Sequence, residues 1–304
     1  MDELVVLDEK PNADEIYMVA GWQQWADAGA VSTELPQYLI QHNKARLIGQ
    51  IKSDPFYVFQ IPGTHGFLRP EIKMEDGYRR TLARHKNEVY YSGDERRGLV
   101  IFLGEEPHLS GERYAEAFFN LAEELGVKRI CALGGVYGAM PYDKDREVSC
   151  SYSVMRMRDE LVEYAVRFSN YEGAASLGSY LVDRAEQVDM EYFTLYAFVP
   201  AYDFSHLSQQ MQGMRIESDY RAWLELMRRL NHMYHLGMDL TDLEQQSNLL
   251  TVSVAAKVDE LQNKTPQVNV KAYIESLSAN FNETPFMPLD VWERGLSDLF
   301  DDKE

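Results

Sequence analysis

The segment that most constrains this chain runs from residue 99 to residue 133. Leu99-Val100-Ile101-Phe102-Leu103 is an apolar run of strand length, and Gly104 to Gly111 reads as a loop. Tyr114, Phe118, Leu121 and Leu125 then recur at helical spacing until Gly126. A further strand, Arg129 to Leu133, follows at once. Strand, helix and strand in that order require a crossover, which makes the strands parallel and opens the loops at 104–111 and 134–147 along one edge of a sheet. Open α/β sheets bind ligands at such an edge.

The same pattern occurs earlier. Ile16 to Gly21 reads as a buried strand, and Gly21 to Ala30 as the loop into a helix marked by Val31, Leu35 and Leu39. Pro36 falls in that stripe; in a helix interior it would cost about 3 kcal/mol, so the helix kinks there or begins there. Residues 46–51 and 55–61 read as strands broken at Ser53-Asp54-Pro55, and 71–92 as short β or irregular structure around Asp76-Gly77. A strand near 148–154, a helix across 173–187 and a last strand, 193–199, stopped by Pro200, complete this part. From about residue 217 three amphipathic stripes follow: Trp223, Met227, Leu230 and Tyr234; then Leu243, Leu250, Val254, Val258 and Leu261; then Val270, Tyr273, Ile274, Leu277 and Phe281. Thr241 and Glu244 have capping-box spacing, and Trp292, Leu296 and Leu299 suggest a final helix. The expected architecture is an α/β domain over residues 1–216, its central, mostly parallel sheet flanked by helices. An all-helical extension over 217–304 packs on it or on a neighbouring subunit.

Thirty Lys and Arg against forty-nine Asp and Glu leave a net charge of −19, a field that repels polyphosphate and so excludes nucleic acid and anionic membrane surfaces as partners. Two cysteines, Cys131 and Cys150, are too few for a disulfide framework or a four-thiolate metal site. The opening Met1-Asp2-Glu3 places acids where a signal peptide needs bases, and no apolar run reaches the ~18 residues of a membrane span. The expectation is a cytoplasmic chain without a membrane partner.

Motifs for covalent chemistry are weak. His232 and His235 stand at i, i+3 but lack a nearby carboxylate to complete a metal set. Ser176 sits one place too late for a nucleophile elbow, and Gly134-Gly135-Val136-Tyr137-Gly138 leads to Pro141 rather than to a helix N-terminus. Asp27, Glu105, Glu106 and Asp203 follow strands on loops that can converge at one sheet edge. There they either do acid–base or ligand work or cap helices and backbone amides. The aromatics Trp22, Trp25, Tyr137, Tyr142 and Tyr202 mark the same loops, as a binding surface or as filling beneath helices.

Gly21-Trp22 with Asp27-Ala28-Gly29, Gly104-Glu105-Glu106-Pro107, Leu133-Gly134-Gly135 with Pro141, Tyr171-Glu172-Gly173 and Val199-Pro200-Ala201-Tyr202 occur in this order. In order and spacing they resemble the PAC2 family of bacterial and archaeal type, relatives of proteasome assembly chaperone 2. The resemblance implies an α/β sandwich similar to nucleoside phosphorylases and hydrolases, a C-terminal helical extension, and self-association into trimers or larger rings. It also implies a part in assembling proteins, as in relatives that assist proteasome assembly. The carboxylate–amine ligase label carried by some members finds no phosphate cradle here. Where members have Pro-His-Thr-Arg-Pro, this chain reads Pro141-Tyr142-Asp143-Lys144-Asp145, which keeps a cation at Lys144. Its Asp301-Asp302-Lys303-Glu304 end lacks the hydrophobic-tyrosine tail of proteasome-activating relatives.

These readings give a homo-oligomeric binding or assembly-chaperone-like protein, with a possible protein client and without covalent chemistry, a cofactor or a metal. The alternative is a small-molecule hydrolase or phosphorylase of nucleoside-processing type that uses the loop carboxylates. The candidate ligand-binding residues are Trp22, Asp27, Glu105, Glu106, Gly135, Tyr142, Lys144, Tyr202 and Asp203.

Overall fold

The first long apolar run becomes the centre of a sheet. A computed structural model describes residues 4–61, 69–205, 213–279, 281–283 and 286. In chain order the first elements are β1 (Val5–Leu7), β2 (Glu15–Gln23), α1 (Glu34–His42), β3 (Arg46–Ile51), β4 (Ile72–Glu75), β5 (Tyr78–Leu82), β6 (Glu88–Gly93), β7 (Arg97–Glu105), α2 (Gly111–Glu124) and β8 (Val127–Gly138). There follow β9 (Val148–Tyr152), α3 (Arg158–Val162), β10 (Arg167–Phe168), α4 (Leu177–Gln187), β11 (Glu191–Tyr202), β12 (Met214–Arg215), α5 (Tyr220–Met233), α6 (Thr241–Lys264) and α7 (Val270–Ala279). The chain forms two compact units, one of residues 1–134, 151–155 and 170–195, the other of 135–150, 156–169 and 196–304.

In the first unit the strand order runs β1-β3-β6-β7-β2-β8. β2 is parallel to β7 along its whole length, from Glu15 opposite Arg97 to Gln23 opposite Glu105, and parallel to β8 from Ile16 to Ala20. β6, β3 and β1 add an antiparallel flank. The result is the expected α/β class, a mixed sheet flanked by helices. The strands on either side of the crossover helix α2 are parallel, as its length requires, but β2 lies between them.

Side-chain alternation divides the work of β2. Met18, Ala20 and Trp22 face a core shared with Tyr114, Phe118 and Leu121 of α2 and Leu177 and Leu181 of α4. Gly21 faces α1, and a Cβ there would stand 2.1 Å from the Ser32 carbonyl oxygen and 2.6 Å from Pro36 Cγ. Pro36 is the third residue of α1, inside the first turn, where its missing N–H has no intrahelical acceptor to lose.

Three local expectations change. Residues 55–61 form turns rather than a strand: Phe56 is fully buried against the Tyr114 ring, and its carbonyl accepts from His108 and Leu109 N–H instead of from a strand. Pro200 does not stop β11, which runs on to Tyr202. At the start of α6 it is Asp239, not Thr241, that supplies the accepting oxygen, taking both the Thr241 N–H and its hydroxyl. The final helix expected from Trp292, Leu296 and Leu299 lies outside the described residues.

The second unit depends on buried ion pairs. Asp219 caps α5 through the N–H groups of Arg221 and Ala222 and takes Arg146 Nε at 2.8 Å, both side chains having no exposed surface. Arg146 also donates to the carbonyls of Pro141, Tyr142 and Lys144, fixing that loop to the helix start. Arg229 repeats the device within α5, pairing with Glu225 and donating to the Tyr164 and Ala165 carbonyls.

The contact at Gly21 makes a direct prediction. Gly21→Ala should lower stability by at least the ~1–3 kcal/mol typical of overpacking, read as an earlier midpoint in urea melts. A variant as stable as the parent would contradict the packing of α1 on β2.

Candidate functional site

Because β2 and β7 end in register, Trp22 opposite Gly104 and Gln23 opposite Glu105, their following loops leave the sheet together. Trp22 has no exposed surface; its ring packs on Phe102 and Phe118, and its Nε1 donates to the Tyr114 hydroxyl at 2.9 Å. Tyr114 in turn donates to Asn87 Oδ1 at 2.9 Å. The Tyr57 hydroxyl stands 3.0 Å from that same oxygen and 2.7 Å from the Glu105 carbonyl, one proton serving two acceptors. Glycine at 104 is what lets this ladder pass, since a Cβ there would lie 2.8 Å from Asn87 Oδ1 and 3.0 Å from Trp22 Cδ1. The Asn87 Nδ2 amide is buried and finds no acceptor among the described residues. Burial drives the Tyr57 and Tyr114 phenols far above the ordinary tyrosine value, so both stay protonated donors.

The carboxylates divide. Asp27 accepts from the Ser32 N–H at 2.6 Å, the Thr33 N–H at 3.1 Å and the Thr33 hydroxyl at 2.7 Å, which fixes the turn before α1. Burial holds its carboxyl above the usual aspartate range, against the pull of those bonds. Glu106 is half-buried and likewise raised by burial, with a bond from the Trp25 N–H opposing. Glu105 faces a different neighbourhood: Oε1 accepts from the Lys86 N–H, and Oε2 pairs with His85 Nδ1. His85 stacks on Tyr57 with ring centres 4.3 Å apart, and His108 stands edge-on to both. Ser53 donates its hydroxyl to the His85 carbonyl rather than to the imidazole.

Next to this cluster opens a cavity of about 770 Å³. Tyr57, Phe59 and His85 line it together with the cations Lys52, Arg84, Lys86 and Arg113. The histidines were not legible as site residues, because 23 positions separate His85 from His108 and no motif joins them. The usable signal was Glu105 on its loop.

The remaining sequence candidates stand on the second unit. Gly135 is buried in β8, and Tyr142 is half-buried with its carbonyl bound by Arg146. Lys144 Nζ lies 3.5 Å from Glu283, so the cation that this loop buries is Arg146. Tyr202 is buried and donates to the Met140 carbonyl at 2.8 Å, while Asp203 is exposed and accepts from the Ser205 N–H. The rings of His232 and His235 are 6.3 Å apart, and among the described residues no group of three His, Cys, Asp or Glu can hold a metal ion. No helix among those residues is long and apolar enough to cross a membrane. Burial pushes the Cys150 thiol up to about 12, which leaves it inert.

The PAC2 family model matches residues 21–258. This chain belongs to the PAC2 family. Among solved structures, a PAC2 family protein from Streptomyces avermitilis superposes with a TM-score of 0.68 at 22% identity, covering 85% of this chain and 99% of its own. A proteasome-assembly chaperone homologue from Mycobacterium tuberculosis gives 0.68 at 18%, covering 85% and 99%. An archaeal proteasome activator from Pyrococcus furiosus gives 0.58 at 18%, covering 84% and 98%. At such identities the likeness is one of fold. None of the curated proteins compared matches the chain.

In this PAC2 chain His108 carries a pH dependence. Burial first, then the neighbouring His85, lower its imidazole below the ordinary 6.5, and its Nδ1 accepts from the Val58 N–H, a bond that only the neutral ring can accept at that atom. The unfolded chain therefore binds the proton more readily, and the His108 contribution is complete above the ordinary value and lost as pH falls through the folded one. His108→Gln should flatten the fall in melting temperature between pH 7 and pH 5. An unchanged slope would contradict this assignment.

Proposed function

We propose that this PAC2 chain is an assembly-chaperone-like protein that binds other proteins, self-associates into a trimer or larger ring, and performs no covalent chemistry. The observation that carries the reading is the ribbon β4–β5. Asp76 and Gly77, with φ of 48° and 80°, form the tight turn that joins the strands. Every residue from Ile72 to Thr81 is exposed, including Ile72 at 54%, Met74 at 55% and Tyr78 at 68%. A two-stranded ribbon is marginal alone, and large apolar side chains exposed on both of its faces, Ile72 and Met74 on one and Tyr78 on the other, suit a contact surface. Arg80 pairs with Glu75, which leaves Lys73 and Arg79 against Asp76 on the ribbon of a chain whose net charge is −19, so an acidic surface such as that of a second copy complements it. The chaperone homologue and the proteasome activator among the fold relatives support a protein partner.

Light scattering on micromolar protein should report a multiple of the 35.1 kDa chain mass. The triple variant Ile72→Ser, Met74→Ser, Tyr78→Ser should lower that mass while keeping the parent's circular dichroism and melting temperature. A monomeric parent would refute self-association. An unaltered mass in the folded variant would remove the ribbon from the contact.

A further inference from the structure

The cavity of the first unit has no part in that reading. We propose that it binds a small organic polyanion, a molecule bearing two or more phosphate or carboxylate groups.

Its charge is the first argument. Lys52, Arg84 and Arg113 line it, and none has an acidic partner within ion-pair distance among the described residues; Lys86 is paired with Glu88 at 3.0 Å, and the only unpaired acid of the lining is Asp54. On a chain with nineteen excess negative charges, surface cations have no shortage of carboxylates to meet. Three left unpaired around one hollow repel each other and concentrate positive potential there. A bound polyanion relieves that repulsion, and each arginine offers a planar fork suited to a phosphate or carboxylate.

Size and rigidity are the second. About 770 Å³ lies inside the range of small-molecule sites. The wall does not have to be organised by the ligand: Tyr57 is held by Asn87 and the Glu105 carbonyl, and His85 is stacked on Tyr57 and held by Glu105. Val58 and Phe59, the latter 63% exposed, offer apolar surface to the carbon part of a ligand.

Calorimetric titration with pyrophosphate and with citrate, at matched ionic strength, tests the site and separates its two chemistries. At least one should bind, and Arg84→Ala/Arg113→Ala should weaken it tenfold or more, with a melting temperature no lower than the parent's. The control Arg96→Ala/Lys257→Ala removes the same charge from exposed residues outside the lining and should bind like the parent. Binding of pyrophosphate alone assigns a phosphate ligand, and of citrate alone a polycarboxylate. Absence of both, equal weakening in the control, or binding of polyglutamate with neither small anion would overturn the proposal, the last in favour of an acidic protein segment.

Discussion

Strand β2 is the constraint on which the first unit depends. It is hydrogen-bonded in parallel on both edges, to β7 and to β8, and buried from Met18 to Trp22, so its central residues are constrained by pairing and by packing together. On one face it must supply Met18, Ala20 and Trp22 to the core; on the other it must supply glycine where Ser32 and Pro36 press closest. The register with β7 then decides what happens at its carboxyl end. Trp22 meets Gly104, and the absent side chain at 104 lets the tryptophan, Tyr114, Asn87 and Tyr57 join in one polar ladder.

Asn87 Oδ1 is the junction of that ladder, receiving Tyr114, Tyr57 and, at 3.3 Å, the Glu105 N–H. Buried polar groups are costly unless satisfied, so three donors on one buried oxygen tie the segment before β6 to the end of β7, to helix α2 and to the turns around Tyr57. The Glu105–His85 pair and the cavity wall are built upon it. A packed core positions the tyrosines, and the tyrosines position the surface.

The strands and helices that repeat a strong period were legible from sequence: β2, β7, α2, β8 and α5 to α7 all fall where apolar spacing places them. What was illegible followed from tertiary context. Phe56 looks like part of a strand, but its ring is claimed by Tyr114 and its carbonyl by the 108–109 backbone. Pro200 looks like a stop, yet β11 continues past it. Arg146 and Asp219 are 73 positions apart and ordinary in type; only folding brings their charges together where neither side chain has exposed surface. At the carboxyl end of the sheet, the strand-end rule pointed to the loops that carry Trp22, Asp27, Glu105 and Glu106; of these Trp22 is core, Asp27 fixes the turn before α1, and Glu105 meets His85, which like His108 and the arginines of the cavity comes from a segment without a motif.

The proposed role makes the exposed ribbon β4–β5 a contact surface, and amide hydrogen exchange of the native protein addresses that claim most directly. In an uncovered two-stranded ribbon the amides of residues 72–82 exchange within the range of frayed structure, while those of β2 and β7 persist to the global limit. As protein concentration rises from nanomolar to micromolar, the account predicts that protection grows at 72–82 and stays level in β2 and β7. Fast exchange of the ribbon at every concentration, with new protection appearing elsewhere, would contradict it.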